Sequence, residues 1–161
     1  MTAPIVYRWD DANAPVAAGV RTSLCAILHA CLVTGYGAKP AAGWTREYVN
    51  ATFDKAAFRG NPATGTGFYL KIDGATPINA FDNLVQGFEV MTSIDDGLMP
   101  FSVTPLYCRT SNVVGTTARP WVLVADDRAF YFLCWSGITT IPGDTSNAVQ
   151  CLFFGDIVSR F

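Results

Sequence analysis

The sequence has 161 residues, a formal net charge of −2, and 15% charged against 50% hydrophobic residues, where a soluble domain usually carries about 25% charge. Its eleven basic residues are scattered, which argues against the basic face that sequence-independent nucleic-acid binding needs. No run approaches the roughly 18 apolar residues of a membrane span, so no membrane partner is expected. A chain of this size reads as one domain, residues 1–161, and can bury about 70% of its unfolded surface without a metal or disulfide to brace it. Its start, "MTAPIVYRWDD", has no basic stretch leading into an apolar one, so no secretory signal is expected. With so few charges, either the chain aggregates or other protein covers part of its surface. The second reading is taken here.

Residues 5–9 read as a short strand. In "TSLCAILHACLV", Leu24, Ile27, Leu28, Cys31 and Leu32 recur at i, i+3, i+4, i+7 and i+8. That is one apolar stripe, which predicts a helix capped by Thr22 or Ser23 and ended by Gly35 or Gly37. "GYGAKPAAGW" (35–44) and "GNPATGTG" (60–67) read as loops. "GFYLKID" alternates, with Phe68, Leu70 and Ile72 opposite Tyr69, Lys71 and Asp73, as a half-buried strand does. "FDNLVQGFEVM" (81–91) reads as strand, "DDGLMP" (95–100) as a turn or loop, and "PFSVTPLYCR" (100–109) as an edge or interrupted strand because of Pro105.

"WVLVADDRAFYFLCW" (121–135) reads as a hairpin closed at Asp126-Asp127-Arg128. Phe130, Phe132 and Cys134 point one way; Tyr131, Leu133 and Trp135 point the other, and neither face is polar. "TIPGDTSN" (140–147) reads as a loop, and "AVQCLFFGDIV" (148–158) as a last strand apolar on both faces. The expected fold is α+β: mainly antiparallel β sheet with one N-terminal amphipathic helix packed on a sheet face. The hairpin and the last strand would be central strands. The helix could cover one face; the other needs a second sheet or a neighbouring subunit.

Little in the sequence points to chemistry. The single histidine, His29, lies roughly 140° from Leu24 on a helical wheel, off the apolar stripe, and reads as a surface residue. Cys25, His29 and Cys31 are the nearest approach to a metal set, but Cys31 points elsewhere and no fourth ligand is evident. Of the five cysteines, Cys25 and Cys31 sit on different faces of one helix. The five read as free, mostly buried thiols, with a cross-strand disulfide among Cys108, Cys134 and Cys151 as the alternative. Asp95-Asp96 and Asp126-Asp127 read as turn residues rather than as an acid/base pair. No phosphate-binding loop pattern occurs, and the Asn50-Ala51-Thr52 sequon reads as chance. No catalytic residue, cofactor or metal is expected.

The aromatic residues remain. Phe68, Phe130, Phe132, Phe153 and Phe154 suit a core. Interface packing better suits Tyr131, Leu133, Trp135, Trp121, Trp9, Tyr36 and Trp44. Trp9, Tyr36 and Trp44 sit near predicted turns, where they could also line a carbohydrate groove.

Ala14-Pro15, Leu24, Leu28, Cys31-Leu32-Val33, Gly35-Tyr36-Gly37 and Ala41-Ala42-Gly43-Trp44-Thr45 occur in order. "GTGFYLKIDG", "FEVMTSIDDGLMPF", "ARPWVLVADDRAFYF" and "FFGDIVS" follow them. Over nearly its whole length the sequence thereby resembles a group of tailed-bacteriophage virion structural proteins. The resemblance implies a non-enzymatic, multicopy component of the particle, assembled in the host bacterial cytoplasm. Its partners would be other virion proteins and copies of itself. Capsid decoration, a head–tail position and a tail position all fit. The other reading is a carbohydrate- or receptor-binding module of a tail or fibre.

Overall fold

The chain's short apolar runs, punctuated by Gly, Pro and Asp, become twelve short strands and one helical segment in the computed structural model, which describes residues 3–137 and 149–156. In chain order these are β1 (Ile5–Arg8), β2 (Ala17–Gly19), α1 (Ser23–Leu28) running into a π-helical stretch (His29–Thr34), β3 (Thr45–Val49), β4 (Lys55–Arg59), β5 (Tyr69–Asp73), β6 (Asp82–Met91), β7 (Gly97–Pro100), β8 (Leu106–Arg109), β9 (Gly115–Arg119), β10 (Trp121–Ala125), β11 (Ala129–Trp135) and β12 (Val149–Gly155). The predicted loop at 140–147 and the end of the "FFGDIVS" segment lie outside the described residues.

All strand pairings are antiparallel. One sheet has the order β1-β10-β11-β12, a second the order β3-β4-β5-β6-β7 with β8 also on β6, and β2 pairs with β9. The coarse expectation of a mainly antiparallel sheet with one helix holds, though the helix is small. Gly97–Pro100, expected as a turn or loop, forms β7 against Phe88, Val90 and Met91. Pro105 does interrupt its segment, and β8 starts one residue later. The last strand, expected to be central, is instead the edge of the four-stranded sheet among the described residues.

Periodicity explains the core. Tyr7, Trp121, Leu123, Ala125, Phe130, Phe132, Cys134 and Leu152 line the inner face of the four-stranded sheet. Leu24, Ile27, Leu28, Cys31 and Leu32 from the helical segment join them in one buried cluster with Phe58, Leu70, Ile72 and Val85 of the other sheet. A smaller cluster of Ala57, Phe88 and Met91, with Tyr48 and Tyr69 against it, pads the far side of that sheet.

After Leu28 the backbone switches from α to π winding, which shifts the phase of the side chains. Cys31 and Leu32 then stay on the buried side with Leu24 and Leu28. The end of this segment is capped from outside. The N–H groups of Ala42, Gly43 and Trp44 donate to the carbonyl oxygens of Cys31 and Leu32 at 3.0–3.1 Å, satisfying acceptors that a helix end leaves open. That is the structural use of the "AAGWT" segment.

One buried charge stands out. Arg119 is 1% exposed; its Nε donates to Ser111 Oγ at 3.2 Å and one Nη to Asn112 Oδ1 at 3.0 Å. Sequence reasoning missed it, since nothing local distinguishes it from the other arginines.

Candidate functional site

The hairpin turn closes as its sequence predicts. Asp126 Oδ1 accepts the N–H groups of Arg128 and Ala129 at 2.8 and 2.9 Å, and Asp126 N donates to Ala129 O at 3.0 Å. That closure sets the register: Trp121 opposes Cys134, Leu123 opposes Phe132 and Ala125 opposes Phe130. Trp121 therefore belongs to the inner face. It is wholly buried, and its indole N–H donates to Pro15 O at 3.0 Å. Trp44 is buried too, donating to Asp126 O at 2.8 Å and packing edge-on against Phe130. Both were expected at an interface; both are used up in the chain's own core.

The opposite parity makes the outer face. Cross-strand rows run Val6–Val124–Tyr131–Phe153, then Arg8–Val122–Leu133–Cys151, then Trp135–Val149. Tyr131 is 53% exposed, Val149 49% and Val6 46%; Val122, Val124, Leu133, Trp135 and Phe153 are half-buried. The Tyr131 and Phe153 rings lie 4.7 Å apart. A shallow depression of about 110 Å³ opens beside Pro4, Val124, Ala129 and Tyr131. Among the described residues these rows carry one charge, Arg8, and Asp10 holds it at 2.7 Å. An apolar face of this extent on an antiparallel sheet departs from the usual one-face-polar pattern.

At one rim of this sheet sit Trp9, 46% exposed, and Tyr36, half-buried with its hydroxyl donating to Asp11 Oδ2 at 2.9 Å. Burial, and then the Asp11 carboxylate, push the Tyr36 phenol well above its ordinary pKa, so it remains a donor.

A second concavity, of about 260 Å³, lies between the loop at Pro77, Ile78 and Asn79 and the residues Asp82, Tyr107 and Arg109. Arg109 Nε meets Asp82 Oδ1 at 2.7 Å, and its guanidinium lies 5.6 Å from the Phe81 ring centre. Arg21 holds the loop wall by donating to the carbonyl oxygens of Gly74, Ala75, Pro77 and Ile78 at 2.6–3.2 Å.

The groups that could carry chemistry are otherwise engaged. All five cysteines are free, and four are buried, with Cys151 exposed. Burial pushes the Cys25, Cys108 and Cys134 thiols up to about 12, far from the thiolate form a nucleophile needs. Asp95 binds Lys55 and Lys71 at 3.1 and 3.4 Å, and Asp96 accepts from Thr92 Oγ1 at 2.8 Å. Asp95 is therefore more than the turn residue expected.

His29 is not the surface residue expected. It packs edge-on against Phe53 at 5.6 Å, and its Nδ1 is buried without a hydrogen-bond partner. Desolvation, and then Arg46, lower its pKa below the ordinary value of 6.5. The unfolded chain therefore takes up this proton more readily than the folded one. His29 thus subtracts nothing from stability above pH about 6.5 and weakens the fold as pH falls below it. The expected result is a urea midpoint that declines between pH 7 and 5, about neutral to mildly acidic, and declines less in His29→Phe. An identical slope in both proteins would refute this account.

The chain matches no known family model, no curated protein and no solved structure.

Proposed function

We propose that this protein is a non-enzymatic structural component of a tailed-phage virion, present in many copies and held by contacts with neighbouring subunits. The observation that carries the reading is the outer face of the β1-β10-β11-β12 sheet, apolar from Val6 to Val149 and uncovered among the described residues. Low overall charge points the same way, and the ordered motif resemblance supplies the virion. Capsid decoration, a head–tail position and a tail position are the placements this reading covers.

Subunit contact at this face gives a direct test. Tyr131→Lys and Leu133→Lys each place a charge on the outer rows. The melting temperature of Tyr131→Lys is expected to stay near the parent's, since a change at an exposed site costs about 0.5 kcal/mol or less, and that of Leu133→Lys, at a half-buried site, to fall further. Self-association by sedimentation, and incorporation into particles, are expected to fall at least about tenfold, the equivalent of 1.4 kcal/mol. A parent protein that stays monomeric at high concentration and enters no particle would overturn the reading.

The groove at Tyr107 and Arg109 favours a second reading, a carbohydrate- or receptor-binding module. An exposed aromatic ring beside Asn79, Asp82 and Arg109 offers a stacking surface with hydrogen-bonding groups, as sugar recognition requires. Saturable binding of host polysaccharide by the isolated chain, lost in Tyr107→Ala, would favour it over the structural role.

A further inference from the structure

The two edges of the four-stranded sheet are treated differently. On β1, Trp9 N donates to Trp121 O at 3.1 Å, so by alternation Val6 and Arg8 direct their N–H and C=O groups away from the sheet. Side chains occupy that side: Lys39 Nζ donates to Val6 O at 2.8 Å, and Arg8 N donates to Asp11 Oδ2 at 2.8 Å. Lys39 and Asp11 are themselves 3.6 Å apart. No further strand can pair there.

On the other side, Trp135 N donates to Pro120 O and Asp126 N to Ala129 O, each at 3.0 Å. The odd-numbered residues of β11 thus bond to β10, and Phe130, Phe132 and Cys134 bond to β12, opposite Phe154, Leu152 and Gln150. Asp156 N, donating to Arg128 O at 3.2 Å, continues the alternation. Val149, Cys151 and Phe153 therefore direct their N–H and C=O groups outward, where nothing among the described residues bonds to them. Strand β8 approaches from the inner side, where Thr110 O accepts from buried Cys134, and it pairs with β6 rather than β12. The strand reads VQCLFFG. It has no lysine, proline or charge of the kind that blunts an exposed edge.

We propose that the open edge of β12 pairs with the β12 edge of a second copy, antiparallel about a two-fold axis. The two four-stranded sheets then become one of eight strands. A second copy suits the edge because two-fold pairing presents the same strand to itself, and an uncharged strand meets no like charge on its twin. Pairing also sets the two apolar outer faces side by side as one surface. This inference rests on the reading of the chain as a subunit of an assembly and adds to the outer face a second contact, along the strand edge.

Cys151 is the only exposed cysteine among the five, and antiparallel pairing brings it near its twin. The full chain treated with a short bis-maleimide is expected to give a covalent dimer, absent in Cys151→Ser, while Cys151→Ser still sediments as a dimer. Cys151→Pro removes one outward N–H and leaves the bonds to β11 intact, as edge strands permit. It is expected to abolish the dimer with the thermal melt still cooperative. The parent's cross-link stands as evidence even if the proline variant fails to fold. A parent without cross-link or dimer overturns the proposal. So does a dimer that survives Cys151→Pro but is lost in Tyr131→Lys; that outcome places the contact on the outer face and leaves the assembly reading standing.

Discussion

Trp121→Ala is expected to cost about 3–5 kcal/mol, the range for emptying a large aromatic site in a packed core. The side chain is wholly buried, lies 6.4 Å from Phe132 ring to ring, and donates its indole proton to Pro15 O. Alanine leaves a void between the hairpin and the segment leading into β2, and an unpaired carbonyl as well. For a chain of this size each kcal/mol shifts the melting temperature by roughly 2–4 °C, so a drop of about 6–20 °C is expected. Trp135→Ala is the control: the same residue type in the same hairpin, half-buried on the outer face. It is expected to move the melt little and association strongly. Equal losses of stability in both variants would mean that the two faces of this hairpin are not inner and outer.

Gly19→Ala is expected to be nearly as damaging, at about 3 kcal/mol, the upper part of the range for forcing an extra carbon into packed structure. A Cβ there would fall on the Val113 carbonyl oxygen and crowd Gly115 N. Both neighbours are backbone, so relief requires moving β9 off β2. Gly115, its partner across the ladder, makes the comparison informative. It has φ +143° and open space around the missing Cβ. Gly115→Ala therefore measures backbone strain alone, about 1–3 kcal/mol. Urea titrations of the two variants separate contact from conformation. A Gly19→Ala protein as stable as the parent would show that β2 and β9 are not held as described.

These cases mark what could be read beforehand. The apolar stripe from Leu24 to Leu32 identifies the helical segment, but its switch to π winding at His29 carries no local signature, and straight α periodicity puts His29 in solvent. The turn at Asp126 was recognised from its chemistry. Its register, which follows from pairing Asp126 with Ala129, would have assigned Trp121 to the Cys134 face and removed it from the interface candidates. Thr45–Val49 and Gly115–Arg119 escaped notice because most of their side chains face water; the strands exist through backbone pairing that composition does not reveal. Trp44 looked like a loop residue, and only the folding of its segment across the helix end explains its burial. The two-sided apolar character of 121–135 was legible in full, because alternation along a strand is a local property. Its interpretation as subunit contact needs the sheet order, which is not.

The asymmetry between β1 and β12 also limits how far association can run. The β1 edge, stoppered by Lys39 and Asp11, accepts no incoming strand, so in the proposed pair both outer edges of the joined eight-stranded sheet are closed. Strand addition to that sheet then ends at the pair rather than running on from copy to copy.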